Sequence, residues 1–305
     1  MNFRAVLKNS IGLVKDKKAR FAFMTTLGLY NNMPDEKFVR KLYEVYLGKE
    51  LNLENPQTFN EKLQWLKLYD RNPQYTKMVD KYEVKKYVAD KIGEEYIIPT
   101  LGVWDKFEDI DFDALPEQFV LKCTHDSGGI VICKDKNNLD LNAAKRKIDK
   151  SLKTKFFYIG REWPYKDVKP RIIAEKYMED KETEELRDYK FFCFDGEAKV
   201  MFTATERQNK STETKFDFFD MNYEHLPFTN GHPNADVIPQ KPEMFDKMRE
   251  LAEALSAGMR QIRVDFYEVN GQIYFGELTF FHWGGLVPFV PEEWDYKMGE
   301  MINLK

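Results

Sequence analysis

The stretch RVDFYEVNGQIYFGELTF, residues 263–280, constrains this chain more than any other. It reads as two strands joined around Asn270-Gly271, and alternate residues of a strand share a face. Ile262, Val264, Phe266 and Leu278 form an apolar face suited to a core, while Arg263, Asp265 and Glu277 carry charge on the other. A cation with two carboxylates suits magnesium better than a core, although an ordinary charged sheet face has the same pattern. The turn separates the two readings. A two-residue type I′ loop pairs Val269 with Gln272 and sends Asp265 and Glu277 to opposite faces. A three-residue loop, with Gly271 left-handed and a bulge, pairs Glu268 with Gln272 and sets Arg263 opposite Glu277. Asp265 then lies diagonally from Glu277 at roughly 7–8 Å. At that separation both acids can share one or two Mg²⁺ ions completed by water and phosphate oxygens. The bulged register is the expectation.

The 305 residues suffice for two lobes with a sizeable core, and 43% hydrophobic with 32% charged residues describes a globular chain rather than a disordered one. A net charge of −4 gives no general case for nucleic acid. Cys123, Cys133 and Cys193 have neither metal spacing nor a disulfide pattern, which suits a reducing cytosol. No run approaches the ~18 apolar residues of a membrane span, and no signal-peptide pattern opens the chain. Residues 1–33 form a basic N-terminal segment, with Arg4, Lys8, Lys15, Lys17, Lys18 and Arg20 set against Asp16. Phe3, Val6, Leu7, Ile11 and Val14 recur there at near-helical spacing. Such a segment fits either peripheral contact with an anionic inner membrane surface or a solvated helix packed on the domain.

Residues 34–115 read as mainly helical: one helix from Asp35 to Gly48, one opened by a Thr58/Glu61 capping box, and one over 71–92, before short strands appear from Tyr96. Strands are expected at 119–123, 171–178, 188–194 and 198–205, the last two joined at Asp195-Gly196, with helices at 141–154 and 244–260. Helices segregated from sheets give an α+β class.

FVLKCTHDSGGIVICKD, residues 119–135, places two strands around a glycine loop. Gly128 and Gly129 permit close backbone approach, so the loop either cradles phosphate with its N–H groups or is a plain surface hairpin. Lys122 sits on the strand that feeds it. Further along, Glu175 interrupts the apolar strand IIAEKYMED and is followed by Tyr177 and Met178, while LRDYKFFCFDG sets Asp188 and Lys190 on one face.

The order Lys81, Lys122 with its glycine loop, Glu175-Lys-Tyr-Met, Lys190 and two acids twelve residues apart resembles an ATP-grasp enzyme. Its element order resembles that of biotin carboxylase and its relatives. The phrases NPQTFNEKLQWLKLYD, LPEQFVLKCTHDSGG, RIIAEKYMED, RDYKFFCFDG and RVDFY…GELTF are closer to the TupA-like ATP-grasp family, associated with teichuronopeptide and surface-polysaccharide biosynthesis. The resemblance covers residues 35–303. It implies an ATP-grasp fold in which two α+β lobes, 116–176 with the phosphate loop and 177–305 with the metal site, clasp ATP behind a mainly helical N-terminal region.

The resemblance also implies roles. Lys81, Lys122, His125, Ser127, Gly128 and Gly129 would hold the nucleotide phosphates. Glu175, Tyr177 and Met178 would face adenine, and Asp188 would lie near the ribose or phosphates. Asp265, Glu277 and Thr279 would bind Mg²⁺, with Thr279 standing where many such enzymes carry Asn. Arg263 and Lys190 would act at the transferring phosphoryl group. The implied activity is a cytoplasmic, ATP-dependent carboxylate–amine ligase working through an acyl-phosphate and joining an amino acid to a sugar unit of a capsular polymer. A glycosyltransferase or kinase of the same pathway is the alternative. Acceptor-site candidates are Arg161, Arg207 and the tail FFHWGG, where Trp283 can stack on a sugar, Gly284-Gly285 can admit a substrate, and His282 is weighed as a general base against a packing role. His225 and His232 read as loop residues.

Overall fold

Local capping signals set the helical N-terminal region. The computed structural model describes residues 16–180, 186–206 and 213–305, so residues 1–15 and Arg207 lie outside the described residues. Asp16 accepts from the Lys18 and Ala19 amides at 2.8 and 3.2 Å and opens α1 (Lys17–Thr26). Helix α2 (Asp35–Leu47) ends where Gly48 turns left-handed, and the expected Thr58/Glu61 capping box starts α3 (Phe59–Tyr69). The single helix expected over 71–92 is instead two, α4 (Tyr75–Val79) and α5 (Glu83–Ile92). Asp80 makes the break: its carboxylate accepts from the Tyr82 and Glu83 amides and from Arg171, an alternative to continued helix bonding. Lys81 at the break donates its own amide to the Thr124 carbonyl.

A four-stranded antiparallel sheet follows. It is built from β1 (Thr100–Trp104), β2 (Phe119–Cys123), β3 (Ile130–Cys133) and β4 (Ile172–Lys176) in the order β1-β4-β2-β3. Because β1 pairs with β4, this sheet begins at residue 100 and not at 116. Helix α6 (Leu141–Leu152) packs Ala144 and Ile148 against Phe119, Leu121, Cys123, Ile172 and Ala174. The alternate residues Val120 and Lys122 therefore face away from that core. A short helix, α7 (Phe157–Gly160), leads back toward the N-terminal helices.

The larger sheet contains β5 (Asp188–Phe194), β6 (Glu197–Thr205), β7 (Lys215–Asp220) and β8 (His225–Leu226). After β9 (Thr229–Asn230) and α8 (Phe245–Ser256), it is completed by β10 (Gln261–Val269) and β11 (Gln272–Thr279). The order is β11-β10-β5-β6-β7-β8, antiparallel throughout. The chain closes with β12 (Phe289–Val290), paired to β9, and α9 (Glu293–Glu300). Phe245 of α8 meets Phe191 on one face, while Phe59 of α3 meets Phe192 and Phe194 on the other. Strand β5 is consequently buried along its whole length.

The β10–β11 hairpin settles the question of the turn. Asn270 (φ 50) and Gly271 (φ 73) form a two-residue left-handed turn, and Val269 pairs with Gln272. The expected three-residue loop is absent. The bulge lies further along, where Phe266 pairs with Phe275 but Asp265 pairs with Glu277, leaving Gly276 unopposed. Glycine explains the position: a Cβ there would lie 3.1 Å from the Asp265 carbonyl oxygen. Asp265 and Glu277 thus share a face as expected, but as direct partners, and Arg263 lies opposite Thr279 instead of Glu277. Among the described residues, no helix is long and apolar enough to cross a membrane.

Candidate active site

The two sheets meet at a cleft of about 430 Å³ whose polar wall includes Lys81, Lys85, Lys122, Glu175, Lys190 and Glu277. Its apolar wall includes Ile98, Met178, Leu186 and Phe275. Met178 is buried there beside Ile98 and Val269.

Glu175 organises the small-lobe side. Lys85 Nζ lies 2.5 Å from one of its oxygens and Lys122 Nζ 2.6 Å from the other. Burial alone would raise the carboxyl, but the two ammonium groups outweigh it and hold Glu175 below its ordinary value. Burial lowers Lys85 despite this partner. It also lowers Lys81, whose ammonium donates to the Asp126 carbonyl of the glycine loop.

That loop, residues 124–129, is braced from within. The Asp126 carboxylate accepts from the Gly129 amide at 3.2 Å and from the Ser151 hydroxyl of α6. A Cβ on Gly129 would sit 2.2 Å from Ser151 Oγ, so the glycine supplies space; neither Gly128 nor Gly129 is left-handed. Ser127 lines the cleft. His125 does not: it is buried with Nε2 3.1 Å and 3.2 Å from the Ser151 and Thr154 carbonyls, which corrects its expected place at a phosphate. Carbonyls at the end of α6 leave unused acceptors, and the imidazole turns to them.

Across the cleft the hairpin face forms one network. Arg263 bridges Asp265 bidentately at 2.7 and 2.8 Å, and its Nη2 also reaches Glu277 at 2.9 Å and Thr279 at 3.0 Å. Lys190 donates to Asp188 at 3.0 Å and to Asp265. Asp265 is 1% exposed, and burial opposes its charge, yet Arg263 and Lys190 hold it at about 2. Glu277, with a side chain 47% exposed, is the accessible carboxylate. The oxygens of Asp265, Glu277 and Thr279 are hard donors of the kind Mg²⁺ takes. Among the described residues no group of three or more His, Cys, Asp and Glu could hold a metal, so an ion here would need phosphate oxygens and water to complete its shell.

The structure therefore brings Lys81, Lys122, Ser127, Glu175, Tyr177, Met178, Asp188, Lys190 and Glu277 to one cleft, with Arg263, Asp265 and Thr279 directly behind Glu277. Lys85 went unnoticed in the sequence. Its neighbour Lys86 pairs with Asp90 on the surface, and nothing local distinguishes the two. Arg161 is no acceptor residue: it is 1% exposed, donates to the Tyr30 carbonyl at 2.7 Å, pairs with Asp35 at 2.9 Å and stacks on Phe38. His225 pairs with Asp217 in the large sheet.

The TupA-like ATP-grasp family matches residues 61–303. Among curated proteins nothing matches. Solved structures similar to the chain include the D-alanine–D-alanine ligase of Bacillus anthracis complexed with ATP, at 20% identity over 66% of this chain and 54% of that one, TM-score 0.39. The Helicobacter pylori D-alanine–D-alanine ligase gives 14% identity over 80% and 69%, TM-score 0.41. The ATP-grasp ligase PsnB, complexed with minimal precursor, Mg and ADP, gives 12% over 72% and 57%, TM-score 0.38. The chain spans little more than half the length of the first of these. With most of its length matched from Glu61 onward, the chain belongs to the TupA-like ATP-grasp family.

Proposed function

We propose that the chain is an ATP- and Mg²⁺-dependent carboxylate–amine ligase joining an amino acid to a sugar unit in surface-polysaccharide biosynthesis. One observation carries the reading. Lysines 81, 122 and 190 line the same cleft as Glu277, next to an apolar wall that includes Ile98, Met178 and Leu186. Such a cleft offers cations for phosphates and apolar side chains for a base. The pathway rests on the family resemblance alone.

In this reading the substrate carboxylate attacks the γ-phosphorus, ADP leaves, and an amine nitrogen then attacks the acyl carbon and releases phosphate. Lys81, Lys122 and Lys190 hold and neutralise the phosphates, and Arg263 steadies the transferring group. Glu175, Tyr177 and Met178 face the adenine, and Asp188 lies toward the ribose. Asp265, Glu277 and Thr279 hold Mg²⁺, which supplies charge neutralisation when bound. Lobes over residues 100–176 and 177–305 enclose the nucleotide. The exposed Phe23 (50%), Leu27 (60%) and Leu29 (66%), beside Lys17 and Lys18, support peripheral contact with an anionic membrane surface, which co-sedimentation with anionic vesicles tests.

The deciding experiment measures ADP release against a matrix of amino acids, amino sugars and uronic acids. Release that requires both a carboxylate and an amine supports the ligase. Release with a hydroxyl acceptor alone makes the chain a kinase, and consumption of a nucleotide sugar makes it a glycosyltransferase.

A further inference from the structure

The turn His282–Gly285 is left-handed at three successive residues: Trp283 (φ 50), Gly284 (φ 62) and Gly285 (φ 63). Two of these are glycines, for which the conformation is easy. Trp283 is not, and a bulky residue keeps this backbone only where its surroundings impose it. Here α3 imposes it. Gln64 Nε2 donates to the Gly284 and Gly285 carbonyls at 2.9 and 2.8 Å, and Lys67 Nζ donates to Gly284 at 2.6 Å. Both side chains are fully buried. A Cβ on Gly285 would lie 2.5 Å from Gln64, so the turn is pressed onto the helix.

The result is an indole presented outward, 43% exposed. Phe216 stacks with it at 6.2 Å and 26°, and Gly231 lies so near that a Cβ would be 2.9 Å from the indole nitrogen. His232 flanks the ring at 5.9 Å. Its Nδ1 has no hydrogen-bond partner among the described residues and stands 4.0 Å from the Glu213 carboxylate. On the other side His282, the neighbour in sequence, holds Arg263 at 2.7 Å. The platform is therefore tied through His282 and Arg263 to Glu277, which lines the cleft.

We propose that Trp283, with His232 and Glu213 at its rim, is the saccharide subsite of the acceptor side. This deepens the ligase reading and rests on it. A pyranose ring offers an apolar C–H face to the electron-rich indole face and hydroxyls to a polar rim, a pairing that an aliphatic amino acid does not match.

The test is saturation-transfer NMR on the full chain with D-glucuronate and D-glucosamine, each titrated without turnover. At least one should bind saturably. Trp283→Gly should weaken that binding at least tenfold while relieving the backbone, and Trp283→Phe should weaken it two- to threefold. ATP affinity, measured by calorimetry, should stay unchanged in both variants, which certifies their fold. Equal saccharide affinity in wild type and Trp283→Gly overturns the subsite, as does failure of both saccharides to bind. Saccharide binding at Trp283 without ADP release from any carboxylate–amine pair would sink the ligase reading and leave the subsite standing.

Discussion

Arg263 donates through Nη1 to Nδ1 of His282 at 2.7 Å, and this bond fixes the imidazole proton on the other nitrogen. A guanidinium cannot accept, so Nδ1 is bare and Nε2–H donates to Asn230 Oδ1 at 3.0 Å. Asn230 is itself oriented by donating to the Val287 and Pro288 carbonyls at 3.1 Å. Burial, reinforced by the Arg263 charge, pushes His282 well below the usual imidazole range. A neutral ring with both nitrogens engaged has no lone pair for a substrate proton. His282 positions Arg263, and the general-base role is excluded.

His282→Phe keeps a planar aromatic ring, slightly larger than imidazole, and removes the acceptor. Arg263 Nη1 is left buried without a partner, which costs about 1–3 kcal/mol in urea unfolding. Loss of its orientation lowers kcat up to about 100-fold, with ATP affinity unchanged. Wild-type kcat should show no limb attributable to this imidazole between pH 6 and 8, because it stays neutral throughout. A limb that vanishes in the variant would contradict the assignment.

Glu277→Gln separates charge from shape. The side chain is 47% exposed, so its surface ion pair contributes little and unfolding shifts by less than about 1 kcal/mol. ADP release should fall at least roughly 100-fold, since a neutral amide is a poor ligand for the Mg²⁺ that would neutralise the phosphoryl charge. Wild-type turnover in this variant would end the metal role.

The face shared by Asp265 and Glu277 was expected from the sequence, but through a bulge at the turn. With the two-residue turn that forms, strand alternation alone would separate them, and the bulge at Gly276 restores the shared face. The position of the bulge was not legible, since a glycine tolerates the irregularity wherever it falls and Gly271 and Gly276 look alike. The break at Asp80 was hidden by apolar spacing that continues on both sides of it. Strand β7, KFDFFD, was missed because its buried Asp217 resembles a loop acid; only the fold shows it accepting from Ala235 and pairing with His225. His125 and Ser127 differ by two positions, yet one turns inward and the other lines the cleft. Long-range packing decided each of these cases.

Gly276→Val tests the bulge. A Cβ would meet the Asp265 carbonyl at 3.1 Å and the Tyr267 ring at 3.2 Å, an overpacking worth about 1–3 kcal/mol. The strain also displaces Glu277, so turnover should drop with stability. Gly271→Ala is the control. It has open space but a left-handed backbone, costs about 1–2 kcal/mol and leaves turnover near wild type.

Lys122→Ala leaves Glu175 with Lys85 alone. Its carboxyl should move back up, because burial opposes the charge and half of the compensation is gone. ATP affinity should weaken roughly tenfold, about 1.4 kcal/mol, measured by calorimetry. Removing Lys85 as well strands a buried carboxylate and should cost about 3–5 kcal/mol of stability. Nucleotide affinity unchanged in the single variant would count against Lys122 as a phosphate ligand.

Lys67 supplies a pH signature that does not depend on activity. It is fully buried, donates to Gln64 and Gly284, and burial lowers it from 10.5 to about 8, with Glu162 opposing the fall. Below pH 8 the ammonium is charged in both folded and unfolded chains, and the folded protein bears the whole burial cost. Between pH 8 and 10.5 the folded chain has released this proton while the unfolded chain still holds it. Stability contributed at this site therefore rises with pH across that window, by up to roughly 3 kcal/mol. Lys67→Met lacks the titration, so the wild-type advantage over it should grow from pH 7.5 to 10 in urea unfolding. Glu162→Gln removes the opposing charge, so the rise should begin at lower pH. Parallel stability curves for wild type and Lys67→Met would mean that the ammonium is solvated and does not staple the turn that presents Trp283.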